Sequence, residues 1–171
     1  LIHEHRFSER MAYLAQNNGR YNVGLLCFRN DQTSIEALRW WRERTIEWCY
    51  LRWEDGKMGD QMYLNDWTTR FNGVVVLQNI GAGVAPWNHD QYHLWQDEHQ
   101  RVWVNDTPLI FFHFHSLTFV TPEVVVAAHP HYPMNEDVIR LCYFPYIRNI
   151  VKQLPQVQDV LPEFNFGLHH Q

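Results

Sequence analysis

The chain has 171 residues, 46% of them hydrophobic and 19% charged, with a formal charge of −5. That composition is globular and not disordered, and an acidic balance with no Lys/Arg block excludes a nucleic-acid partner held through its phosphates. No apolar run is long enough to span a membrane. Cys27, Cys49 and Cys142 are widely spaced with no CxxC, which signals neither a zinc ribbon nor a disulfide framework and suits a reducing cytoplasm.

The opening residues, "LIHEHRFSERM", lack the order of a signal peptide and an initiator Met. The chain is therefore expected to enter in mid-protein, from an apolar strand ending at Leu1–Ile2. Residues 8–18 read as a short helix stopped near Asn17-Asn18-Gly19, and residues 21–28 as a buried strand. In "TSIE", Thr33 with Glu36 three residues on has capping-box spacing. The helix that follows is expected to run to about Trp53, burying Ile35, Leu38, Trp41, Thr45, Trp48 and Cys49 on one face. A second short helix is expected over 59–69 and a strand over Val74–Leu77. "GAGVAPWNHDQYHL" reads as a glycine-containing loop. Val102–Val104, a turn at Asn105-Asp106, and Leu109–Phe114 read as a hairpin. Residues 135–154 read as helical, broken in two at Pro145. The sum is one mixed α/β domain, with too few strands for a complete doubly wound sheet.

Three stretches offer chemistry. In "YNVG", Asn22 is an amide at a strand start, and Gly24 either marks a turn or leaves room for a ligand to approach. In "GDQ", Asp60 precedes a helix start, where it either caps the free N–H groups or stands with Gln61 as a fixed acid and amide at a pocket mouth. Glu54, Asp55 and Lys57 read as solvated loop charges. In "FFHFHSL", strand alternation puts His113 and His115 on one face, as metal ligands or as ordinary core and surface imidazoles. "HPH" at His129 and His131, and His169 and His170 near the C-terminus, are weaker signals. The eight Trp and 15% aromatic content serve a core or a flat ligand such as a sugar ring or a base.

Taken in order, "YNVGLLCFRND", "GDQ", "APWN" and "HFHS" resemble the C-terminal half of GT-A-fold glycosyltransferases, nearest to the retaining enzymes of glycosyltransferase family 8. The likeness covers most of residues 3–116. It implies that this chain is the C-terminal portion of a larger GT-A catalytic domain, from a bacterial enzyme of polysaccharide biosynthesis. Such an enzyme takes a nucleotide-sugar donor and a glycan or glycolipid acceptor, in the cytoplasm or at the membrane periphery. A divalent Mn²⁺ or Mg²⁺ ion supports the departing diphosphate as a Lewis acid. By the same resemblance His113 is a metal ligand, and Asn22 and Gly24 lie beside the donor sugar. Asp60 and Gln61 act at the sugar and near its anomeric carbon, and Trp87 and Asn88 line the pocket.

The departures are specific. Ser116 stands where the family has glycine, "LTFV" replaces the family's Lys-Pro-Trp, and no D-x-D occurs. The fragment alone is accordingly expected to be inactive, and its half-domain edges to favour self-association. The other readings are a non-catalytic carbohydrate- or partner-binding module and, much less favoured, a zinc hydrolase, for which no HExxH is present.

Overall fold

The computed structural model describes residues 1–121 and 123–163; His169 and His170 lie outside the described residues. The architecture is mixed α/β with several small sheets. The chain forms two compact units, Leu1–Gly83 and Val84–Gln171.

The first unit is built on the extended segment at its start. β1 (His3–Glu4) pairs antiparallel with β2 (Tyr21–Asn22), His3 opposite Asn22 and Glu4 opposite Tyr21. One residue earlier, Ile2 bridges Val76 in parallel, with Ile2 N–H donating to Val75 at 2.9 Å and Leu77 N–H to Ile2 at 2.8 Å. The expected strand over Val74–Leu77 is thus reduced to one bridge. The helix expected over 8–18 is a 3-10 turn, Glu9–Leu14, running into α1 (Ala15–Asn18). The strand expected over 21–28 stops at Asn22, because Val23-Gly24 forms a turn and the chain leaves the sheet.

The long helix, α2 (Gln32–Glu47), departs from expectation in three ways. Its N-cap is Asp31, not Thr33: the Asp31 carboxylate accepts from Ser34 N–H at 2.9 Å. Both Asp31 and Thr33 are good capping types, and Asp31 holds the extended backbone a cap requires. The helix ends at Glu47, short of Trp53. Trp41 faces inward as expected, but it is joined there by Ala37 and Trp40, while Leu38 and Cys49 are exposed. The indole N–H of Trp41 donates to the Asp60 carbonyl at 2.9 Å, and the Tyr63 hydroxyl to the Trp48 carbonyl at 2.8 Å. These bonds anchor α2 against the turn that follows Asp60. Glu54 is not simply solvated: it accepts from the Trp48 indole at 3.1 Å and from Arg52 at 2.7 Å.

A 3-10 turn, Gln61–Asp66, leads into α3 (Trp67–Arg70). The core gathers Ile2, Tyr21, Leu64 and Trp67, with Trp40, Trp41 and Phe71 packed against it. The Trp41 and Phe71 rings meet Trp67 edge-on at 6.0 and 5.9 Å, an arrangement the aromatic quadrupole favours.

The second unit opens with Val84, the end of β3 (Ala82–Val84), whose carbonyl accepts from His113 N–H at 2.7 Å. β4 (Leu94–Gln96), β5 (Val102–Val104) and β6 (Thr107–Pro108) form a three-stranded antiparallel sheet. The Asn105-Asp106 turn is where the sequence puts it, but the strand after it is Thr107–Pro108; β3 lies inside the stretch read as loop, and β4 begins at its last residue, Leu94. Only β7 (Phe111–Phe112) remains of the strand expected to reach Phe114. β8 (Thr118–Phe119) and β9 (Val125–Val126) pair antiparallel.

α4 (Glu136–Val138), capped by Asn135, passes into a π-helical segment, Ile139–Tyr143, and then into α5 (Phe144–Val160). Pro145 does not break the helix. It stands near the start of α5, and the change of pitch from π to α lies just before it. The π segment buries Leu141, Cys142 and Tyr143, and the Tyr143 ring packs edge-on against Phe112 and Phe114.

The corrected face of α2 makes a sharp comparison. Leu64→Ala, at a fully buried site, should cost about 3 kcal/mol. Leu38→Ala, at 43% exposure, should stay below about 1 kcal/mol. Urea unfolding of both variants checks this; similar costs would restore Leu38 to the core.

Candidate functional site

In the first unit the polar centre is Asn22, only 4% exposed. β1–β2 pairing places it beside the "HEH" run. Its Nδ2 lies 3.0 Å from His5 Nε2 and donates to Gln61 Oε1 at 3.5 Å. Its Oδ1 accepts from Gly24 N–H at 2.7 Å. Both amide hydrogens thus have partners, and the oxygen uses one of its two lone pairs on Gly24. His5 accepts at Nε2, which places its ring proton on Nδ1. The ring is buried and stacks on Phe7 at 4.6 Å.

Gly24 sits in an exposed turn closed by the Asn22 side chain, so its place in "YNVG" is explained by that turn. Asp60 precedes the 3-10 turn, but its carboxylate makes no capping bond. Its backbone is held by Trp41, and its charge helps push up the Cys49 thiol, which burial raises first. The capping reading of Asp60 therefore fails. Asp60 and Gln61 are half-buried, and Gln61 is brought to Asn22.

Sequence reading passes over His3 and His5, although the alternation that pairs His113 with His115 applies equally to "HEH". His3 is buried, and burial lowers its pKa; its bond to the Glu4 carbonyl opposes this, and the Arg6 charge adds to the lowering. Arg6 donates to the Asn79 carbonyl at 2.9 Å and to the Ala82 carbonyl. Gly83 has φ +86°, and a Cβ there would lie 2.8 Å from His3 Nδ1. Only glycine suits both the backbone and the close imidazole.

In the second unit the centre is Trp87, 4% exposed. His113 and His115 both pack against it, at 5.0 and 5.5 Å between ring centroids, and Tyr132 closes on His115 at 5.8 Å. The two histidines thus share one face although the strand ends at Phe112. Burial lowers the pKa of His115, and the His129 imidazole adds to it. Asn88 is fully buried, and its Oδ1 accepts from Ala85 N–H at 2.8 Å within its own turn. His89, also buried, donates through Nε2 to the Pro133 carbonyl at 2.7 Å, tying the "HPH" loop to the Trp87 turn. Burial lowers its pKa as well.

Among the described residues no group of three His, Cys, Asp or Glu side chains could hold a metal ion. Ser116 has φ +62°, the left-handed conformation that favours glycine.

No family model matches the chain, and no solved structure matches it. It is 34% identical over 166 residues to the uncharacterized protein YfnD of Bacillus subtilis (strain 168), covering 96% of this chain and 53% of that protein. It is 30% identical over 159 residues to the uncharacterized protein YfnF of the same strain, covering 92% of this chain and 51% of that protein. The chain spans about half the length of these curated relatives.

The backbone at Ser116 yields a stability prediction. A left-handed L-residue costs roughly 1–2 kcal/mol, offset in part by glycine's greater unfolded entropy. Ser116→Gly should therefore stabilise the protein by about 0.5–1 kcal/mol in urea unfolding; a loss of stability would show the conformation is not strained.

Proposed function

We propose that the chain is the C-terminal portion of a nucleotide-sugar glycosyltransferase of GT-A fold, retaining and dependent on Mn²⁺ or Mg²⁺. The observation that carries this reading is the approach of Gln61 to Asn22. "YNVG" and "GDQ" lie 39 positions apart in sequence, and the resemblance assigns both motifs to one donor sugar. The backbone of Ser116, and the two histidines gathered on Trp87, agree with the family's H-x-x-G and F/W-N positions. That the relatives are about twice as long agrees with a missing nucleotide-binding half.

In this reading the bond between the anomeric carbon and the diphosphate breaks, and the diphosphate leaves with the electron pair. The acceptor hydroxyl oxygen bonds to the same carbon, and its proton passes to the departing diphosphate. Asn22, held by His5 and Gly24 and reaching Gln61, fixes Gln61 beside the donor sugar. Asp60 and Gln61 are the groups that meet the donor: the carboxylate accepts from sugar hydroxyls, and the amide stands at the anomeric carbon. His113 would contribute one metal ligand, and the ion would supply Lewis acidity to the diphosphate.

A protein of the relatives' length containing this chain should carry an apolar strand followed by D-x-D before Leu1. In Mn²⁺ it should release nucleoside diphosphate from at least one of UDP-glucose, UDP-galactose, UDP-N-acetylglucosamine and GDP-mannose. Asp60→Asn should lower that rate by about 100-fold, the scale for a lost group acting at the reacting centre. No D-x-D, or Asp60→Asn and Gln61→Ala variants as active as the parent, would overturn the proposal.

A further inference from the structure

His89 is a titratable side chain that the proposed reaction does not use, yet it lies at 1% exposure just after Trp87. Its backbone is fixed there. His89 N–H donates to the Ala85 carbonyl at 3.0 Å, and the His89 carbonyl accepts from Tyr92 N–H at 3.1 Å. The ring reaches a second segment, 44 positions away, by donating from Nε2 to the Pro133 carbonyl. That donation puts the single ring proton of a neutral imidazole on Nε2. Nδ1 is then a bare lone pair, shut off from solvent and with no hydrogen-bond partner among the described residues.

The segment on the far side of that bond is outlying chain. His129, Pro130 and His131 are exposed. Within it Tyr132 N–H donates to the His129 carbonyl at 2.9 Å, and His131 N–H to His129 Nδ1 at 3.2 Å. Tyr132 reaches inward from this loop, with 6.4 Å between its ring centroid and that of Trp87. The Tyr132 ring is thus part of what covers Trp87, and the His89–Pro133 bond holds the backbone one residue beyond it.

A second proton on the ring would sit on Nδ1 as a buried donor without an acceptor. It would also bring a positive charge into a site closed to water, and both cost free energy. Burial accordingly pushes the imidazole below its ordinary value, against the Pro133 carbonyl and the Asp90 charge, which favour the proton. The carbonyl of His89 itself favours it too, but that group is already engaged by Tyr92. The two joined segments carry further titratable groups, Asp90 and His93 on one side and His129, His131, Glu136 and Asp137 on the other. The closed loop therefore selects the neutral ring. Closure is fully present above the ordinary histidine range and is lost as pH falls below it.

We propose that His89 is an acid-released latch: while neutral it ties the 129–133 loop down beside Trp87, and on taking a second proton it lets that loop open and uncover the ring. The latch involves neither nucleotide nor metal, so it stands or falls apart from the transferase reading.

The test is hydrogen exchange of the chain, read on a peptide spanning 128–134 at about pH 7.5 and about pH 5, on either side of the ordinary histidine value, and corrected for the intrinsic pH dependence of exchange. Protection of that peptide should fall by about fivefold or more in acid, the scale of leaving a buried donor unpaired. A peptide spanning the π segment, 139–143, should stay protected. His89→Gln, whose amide can still donate to Pro133 but does not titrate, should lose the acid response. His129→Gln with His131→Gln, which removes the exposed imidazoles of the loop, should keep it. Equal protection of 128–134 at both pH values in the unmodified chain would overturn the proposal. So would an acid loss shared equally by 139–143, an undiminished response in folded His89→Gln, or its disappearance in the His129→Gln, His131→Gln variant.

Discussion

One buried side-chain amide organises the first unit. Asn22 is almost fully removed from water, and an unsatisfied polar group there costs about 1–3 kcal/mol. Its partners come from the chain start at His5, from the turn at Gly24 and from the 3-10 turn at Gln61. Three segments far apart in sequence must therefore take one mutual arrangement. The aromatic packing around Trp67 supplies the burial that makes this requirement strict.

The same constraint separates two roles that sequence motifs run together. Asn22 directs its hydrogen bonds to His5, Gln61 and Gly24, and so helps to fix where Gln61 stands. Asp60 is held through its backbone by Trp41, which leaves its carboxylate outside any cap. In the second unit Trp87 plays a comparable part, as a buried ring against which His113 and His115 are set. Asn88 and His89 use their polar atoms to hold the turn and the loop that reaches Pro133.

What the sequence disclosed, and what it hid, follows from the range of the forces involved. The existence of α2 and the Asn105-Asp106 turn are set by local chemistry and were legible. The cap of α2 was ambiguous because Asp31 and Thr33 both suit it, and only backbone geometry chose Asp31. The buried face of α2 was legible at Trp41 but misjudged at Leu38, because periodicity allowed several stripes; packing against the Leu64–Trp67 cluster selected Trp40 beside Trp41 and left Leu38 exposed. The strand at Tyr21 was read too long because the Asn22–Gly24 bond, which ends it, is a side-chain effect that hydrophobic pattern does not register. The site motifs were visible as words, but the involvement of His5 required the β1–β2 register.

The most direct test of this account is a double-mutant cycle on the buried amide, using His5→Phe, Asn22→Val and both together in urea unfolding of this chain. Each single change strands a buried polar partner, whereas the double change removes both. The two should therefore be coupled, the double variant being more stable than the sum of the singles implies by about 1–2 kcal/mol. Strict additivity would mean that the Asn22 amide does not hold these segments together, and the site built on it would lose its foundation.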